Sequence, residues 1–131
     1  MVLPDIVIPF QSAFIAGRRI SDNILLSQEL LKNYHRDGGH PRCALKVDIM
    51  KAYDSVRWDF LVAILQILGF PEQMIAWISE CISTPHFSIS INGELNGFFA
   101  SGRGLRQGDP MSPYLFVLAM EVFSGLMNIM E

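Results

Sequence analysis

ALKVDIMKAYDSVRWDFL, residues 44–61, begins with the alternation of a strand and ends with the spacing of a helix. Leu45 and Val47 fall on one face of its first part, and Lys46 and Asp48 on the other, as in a half-buried strand. Ser55 is placed to cap a helix that runs to Leu68 and stops at Gly69. Asp48 therefore leaves the end of a predicted strand. A carboxylate held by a rigid element there can face a hard divalent ion, and Mg²⁺ commonly takes only one or two carboxylates beside substrate phosphates. Read alone, an Asp in this place is more often a turn former or a helix cap. Tyr53, five residues on, is by itself more often a core or rim aromatic.

Outward from this stretch the chain alternates helix and turn signals. Ser21 can cap a helix over DNILLSQELLKNYHR, residues 22–36, which Gly38 and Gly39 end. Pro71 suits the first turn of a helix over EQMIAWISECIS, residues 72–83, where Met74, Ile75, Ile78 and Ile82 recur at helical spacing. After Pro85 the period drops to two, with Phe87, Ile89 and Ile91 alternating with serines. Asn92-Gly93 predicts a hairpin turn, because both residues tolerate positive φ. A return strand through GFFAS leads into the loop GRGLRQGDPMSP, and Ser112-Pro113 opens a last, strongly apolar helix. The fold class is α+β, with helices packed on a small, mostly antiparallel sheet and a hairpin near residues 87–100.

A length of 131 residues fits one domain. Half of the residues are hydrophobic and 18% are charged, so part of this surface suits packing against other protein. No stretch reaches the roughly 20 uninterrupted apolar residues of a membrane span. The N-terminus lacks the basic start and long apolar core of a signal peptide. With two lone cysteines, Cys43 and Cys81, a reduced intracellular setting is the simpler expectation, nucleus or cytoplasm undetermined. The net charge of −3 argues against nonspecific nucleic-acid binding by the whole chain. Eight of the ten Lys and Arg lie within residues 1–60, and only Arg103 and Arg106 lie beyond Arg57, so any phosphate contact is local.

Two further segments can carry chemistry. In RGLRQGDPMSP, residues 103–113, two arginines flank a glycine turn. Arg forks suit phosphate, and glycine lets backbone approach a ligand closely. In FIAGRRISDN, residues 14–23, Arg18 and Arg19 precede a predicted helix N-terminus. For each, a plain connector or solvated turn is an equal or better reading taken singly. His35, His40 and Cys43 match no zinc spacing and lack a fourth ligand.

Together these segments, in order and spacing, resemble the reverse transcriptase domain of LINE-type non-LTR retrotransposons, of the kind common in plant genomes. QSAFIAGRRISDNILLSQEL looks like the family's fingers motif, ALKVDIMKAYDSVRWDFL like polymerase motif A, and FSISINGELNGFFASGRGLRQGDPMSPYLF like the hairpin leading into motif B. The resemblance implies a partial right-hand polymerase, with residues 1–42 derived from the fingers and 43–131 from the palm. It implies that Asp48 binds the two catalytic Mg²⁺ ions and that Ile49 lends its backbone carbonyl to one. It places Tyr53 at the steric gate that excludes a ribose 2′-hydroxyl. Gln107 and Gly108 match the pair near the incoming nucleotide and template base. Ser112 and Pro113 match the start of the motif B helix. Arg18 or Arg19 would meet the triphosphate, with the choice between them open. The implied partners are an RNA template, a DNA primer and deoxynucleoside triphosphates, with no membrane.

Three departures accompany the match. The family's motif C, which supplies the remaining metal carboxylates, is missing, and no Asp-Asp pair occurs in the 131 residues. Met50 stands where a small polar residue is common, and Met111 where Leu is. The expectation is a fragment of an RNA-directed DNA polymerase that is inactive as this chain. The alternatives are a non-catalytic nucleic-acid-binding remnant using Arg18, Arg19, Arg103 and Arg106, or an unstable product without function.

Overall fold

A computed structural model describes residues 5–32, 34 and 43–129. The chain divides into two compact units, residues 1–50 and 51–131.

The first unit holds α1, Ile20–Leu31. Arg19 precedes it in an extended conformation, and the Asp22 amide donates to the Arg19 carbonyl at 3.1 Å. Ser21 thus lies inside the first turn and does not cap it, contrary to the sequence expectation. The helix closes at Lys32, earlier than expected, and a single turn brings the Tyr34 amide to the Leu31 carbonyl. His35, Gly38, Gly39 and His40 lie outside the described residues. No residue of α1 is buried, and its apolar side chains Ile24, Leu25 and Leu30 are exposed. The segment before the helix is the better packed part, with Val7, Ser12 and Ile15 buried.

Residues 43–49 run without helix or ladder. The predicted strand is absent as a strand because a strand exists only through a partner. Among the described residues the two strand-forming segments satisfy each other as a hairpin.

The second unit contains α2 (Ala52–Ser55), α3 (Trp58–Ile67), α4 (Glu72–Ser83), β1 (His86–Ile91), β2 (Glu94–Ala100) and α5 (Ser112–Ile129). The helix expected from Ser55 to Leu68 is split at Val56-Arg57, both extended. Ser55 ends α2 instead of opening α3. Its amide and its hydroxyl both donate to the Lys51 carbonyl, at 3.0 and 2.8 Å. α4 has the expected bounds, with Pro71 at its N-cap.

α3 packs on α4 and on α5. Leu61 and Leu65 are 0% exposed; Ile64, Ile75, Ile78, Leu115, Val117 and Leu118 complete the core. Each such side chain contributes roughly 1.5–3 kcal/mol by leaving water. α5 is long and apolar enough to cross a membrane by length and composition, yet its first half is a core element here. The hairpin turns at Asn92-Gly93, both at positive φ, as the sequence indicates. One extra residue on β2 shifts the register opposite Phe87–Ile89, a bulge beside Gly97 at φ +74. Ile89, Ile91, Leu95 and Phe98 of the hairpin are exposed.

Candidate functional site

The turn that leads into α2 is built around Lys51, whose φ of 49 is left-handed. This reverses the chain into the single turn of α2 and turns Tyr53 onto α5. The Tyr53 and Phe116 rings stack with centroids 4.8 Å apart and planes 13° apart. The ring is therefore backed on one face by a side chain from α5.

The loop 101–111 docks on this turn through its backbone. The Gly104 amide donates to the Val56 carbonyl at 2.8 Å, and the Leu105 amide to the Tyr53 carbonyl at 2.9 Å. The Trp58 indole Nε1 donates to the Gly104 carbonyl at 2.8 Å. Leu105 itself is buried. Only glycine fits at 104: φ is +93, and a Cβ would stand 3.1 Å from Asp54 Cα and 3.2 Å from its carbonyl oxygen. After Gln107 the chain turns at Gly108, φ +86. Asp109 then prepares α5, its Oδ1 accepting from the Met111 amide at 2.7 Å and its carbonyl from the Ser112 amide at 3.2 Å.

A cavity of about 760 Å³ opens beside this junction. Lys51, Arg103 and Arg106 give it three cations, against Asp54 and Asp109; Gln107 also lines it, and Phe87, Phe99 and Leu105 supply apolar wall. Its charge suits an anion with an apolar or aromatic body.

Tyr53, Gln107 and Gly108 thus belong to one connected segment pair in the second unit. Asp48, Ile49, Arg18 and Arg19 belong to the first. Asp48 and Ile49 are exposed on the extended segment. The Arg18 guanidinium donates to the carbonyls of Val7 (3.1 Å), Ile8 (2.5 Å) and Gln11 (2.7 Å), and so folds the preceding loop around itself. Arg19 is exposed. Among the described residues no three His, Cys, Asp or Glu side chains gather as a metal site, and Cys43 is a free, exposed thiol.

Sequence reasoning missed Lys51, Trp58 and Asp109. The one available signal was Asp109-Pro110 before Ser112, since Asp favours bonding to backbone two residues on. Nothing local in the sequence marks Trp58, whose partner lies 46 positions away.

The described geometry accords with what the chain is similar to. The model of the reverse transcriptase (RNA-dependent DNA polymerase) family matches residues 2–129. An uncharacterized 149 kDa protein of transposon TX1 from Xenopus laevis is 35% identical over 127 residues, 97% of this chain and 10% of that protein. The retrovirus-related Pol polyprotein from the type-2 retrotransposable element R2DM of Drosophila melanogaster is 29% identical over 86% of this chain and 11% of its own length. An uncharacterized mitochondrial protein of Arabidopsis thaliana is 64% identical over a shorter stretch, 28% of this chain and 30% of that protein. The chain spans about a tenth of the length of the first two. The expected kinship with non-LTR retrotransposon polymerases is borne out by these relatives. The family generally uses a divalent metal and binds RNA template and nucleotides. On a match that covers nearly every residue, this chain belongs to the reverse transcriptase family.

Proposed function

We propose that this chain carries the nucleotide-facing part of an RNA-directed DNA polymerase, with residues 1–42 from the fingers and 43–131 from the palm. The observation that carries the reading is the backbone junction of residues 53–56 with 104–105. It ties the turn that carries Tyr53 to the start of the loop that carries Arg106, Gln107 and Gly108. In the reaction a primer 3′-hydroxyl attacks the α-phosphate of a deoxynucleoside triphosphate, and pyrophosphate leaves. Tyr53, backed by Phe116, stands beside the sugar and excludes a 2′-hydroxyl. Gln107 and Gly108 lie against the nucleotide and the template base. Lys51, Arg103 and Arg106 suit phosphate by charge, and the two arginines also by fork geometry. Of the two fingers arginines, Arg19 is the one assigned to a triphosphate, because it is exposed while Arg18 is engaged by carbonyls.

The Asp48 carboxylate and the Ile49 carbonyl are hard oxygen donors on successive residues, and they fit one side of a Mg²⁺ ion. An ion held by these two donors would supply charge stabilisation to the phosphoryl group being transferred. With one such carboxylate and no acidic cluster among the described residues, the 131-residue protein is expected not to polymerise. Incorporation of labelled deoxynucleotide on an RNA template, abolished by Asp48→Ala, would overturn that.

Ultraviolet crosslinking of labelled dTTP to the protein in Mg²⁺ tests the nucleotide site directly. Labelling should be competed by unlabelled dTTP, and Gln107→Ala should lower it roughly two- to tenfold, the worth of one hydrogen bond. Wild-type labelling that no competitor removes would defeat the reading.

A second reading is favoured by the gathering of Lys51, Arg103 and Arg106 at one cavity: a nucleic-acid-binding role without catalysis. Its signature is salt. Three phosphate contacts on a single strand give log affinity a slope of about −2 against log salt.

A further inference from the structure

We propose that Trp58 is a positioning residue, which holds the loop carrying Arg106 and Gln107 on the turn carrying Tyr53. The proposal rests on the nucleotide-facing reading of Tyr53 and Gln107 given above.

Trp58 is the first residue of α3, so its backbone is anchored by the helix that supplies the core residues Leu61 and Leu65. Its half-buried indole reaches across 46 positions to the Gly104 carbonyl at 2.8 Å. The amide of the same Gly104 is held by the Val56 carbonyl at 2.8 Å, and the next amide by Tyr53 at 2.9 Å. Gly104 is thus gripped on both its polar groups, at a φ of +93 and where an added Cβ would stand 3.1 Å from Asp54 Cα. Two of these three bonds are backbone to backbone and survive any side-chain change. The indole bond is the one that a substitution can remove. Arg106 and Gln107 follow Gly104 by two and three residues and line the cavity. An angular change at Gly104 therefore moves both relative to the Tyr53 ring. Trp58 does not line the cavity, so its effect is on position and not on contact.

The test uses Trp58→Phe, which keeps an aromatic body and removes the donor, with Trp77→Phe as control. Trp77 is 64% exposed on α4, remote in sequence from both segments. Two readouts are taken on the 131-residue protein. The first is hydrogen exchange of the Gly104 and Leu105 amides, without nucleotide. The second is the ratio of dUTP to UTP crosslinking in Mg²⁺, two nucleotides that differ only at the 2′ position. Trp58→Phe should speed exchange at both amides roughly tenfold, as loss of one hydrogen bond does. It should also lower the dUTP preference severalfold, while Trp77→Phe changes neither. A local exchange rate or a sugar preference unchanged in Trp58→Phe overturns the proposal. If the variant unfolds, the wild-type indole proton decides: protection from exchange supports the clamp, and the rate of free tryptophan refutes it. Equal crosslinking of dUTP and UTP by the wild type would instead sink the gate reading of Tyr53, and amide exchange alone would then judge Trp58.

Discussion

The Tyr53 ring lies nearly parallel to that of Phe116, 4.8 Å away, so Tyr53 is braced by α5. Such a pair contributes about 0.5–1.5 kcal/mol beyond burial. Phe116→Ala should lower stability by more than that and should also release the Tyr53 ring. If Tyr53 selects the sugar, both Phe116→Ala and Tyr53→Ala bring the dUTP to UTP crosslinking ratio towards one. A ratio that falls only in Tyr53→Ala would mean that the ring needs no brace.

Gly104→Ala puts a Cβ against Asp54 backbone at a left-handed φ. A cost of about 1–3 kcal/mol is expected from strain of this kind. Gly102 provides the control, since a Cβ there meets nothing within 4 Å. Urea unfolding of the two alanine variants should separate them, with Gly102→Ala close to wild type.

Arg18 and Arg19 should divide by function. Arg18→Met removes a guanidinium from three carbonyls and should loosen residues 7–15, seen as faster amide exchange there. Hydrogen bonds to a charged group are worth about 1.5–3 kcal/mol each, and Lys cannot reproduce the fork. Arg19→Met should leave that exchange alone and weaken triphosphate crosslinking. The reverse pattern would make Arg18 the phosphate ligand.

Leu65→Ala in the fully buried core should cost about 2–5 kcal/mol. Ile67, two residues on and 84% exposed, should tolerate Ala with a change within about 0.5 kcal/mol. Thermal or urea denaturation of the pair checks that α3 faces the core as described.

Arg57 grips Asp59 with two hydrogen bonds at the start of α3, and the Phe60 amide adds a third to the carboxylate. The guanidinium bond chiefly, then the Phe60 amide, holds the Asp59 carboxyl below the ordinary value, and Arg57 is correspondingly raised. A depressed folded value means stabilisation that is present above the unfolded pKa of about 3.9 and is lost as pH falls through the lower folded value. NMR titration should show Asp59 rising in Arg57→Gln. An unmoved midpoint would remove Arg57 as the cause.

The parts legible in the sequence were those set by local chemistry. The α4 bounds follow from Pro71 and the Met74–Ile82 spacing, and the hairpin from Asn92-Gly93. The parts that failed depend on partners. Residues 43–48 alternate like a strand, but alternation supplies no ladder. Ser21 and Ser55 are good caps by type; Ser55 spends its hydroxyl on the carbonyl four residues back, and the extended Arg19 puts Ser21 inside the helix. At the site, the resemblance named Tyr53 and Gln107, while the bonds that join their segments are set only when distant backbone meets.

That junction also sets an order of assembly. α3, α4 and the hairpin close through neighbours in sequence, whereas residues 53–58 and 104–105 meet only after the intervening chain is laid down. Loop-closure entropy delays such contacts. The junction should therefore be among the last features to form and, if held mainly by its three hydrogen bonds, among the first to open. A protein that reads as folded by its helices can still lack a formed site, so secondary-structure content is a poor gauge of whether this chain is competent to bind.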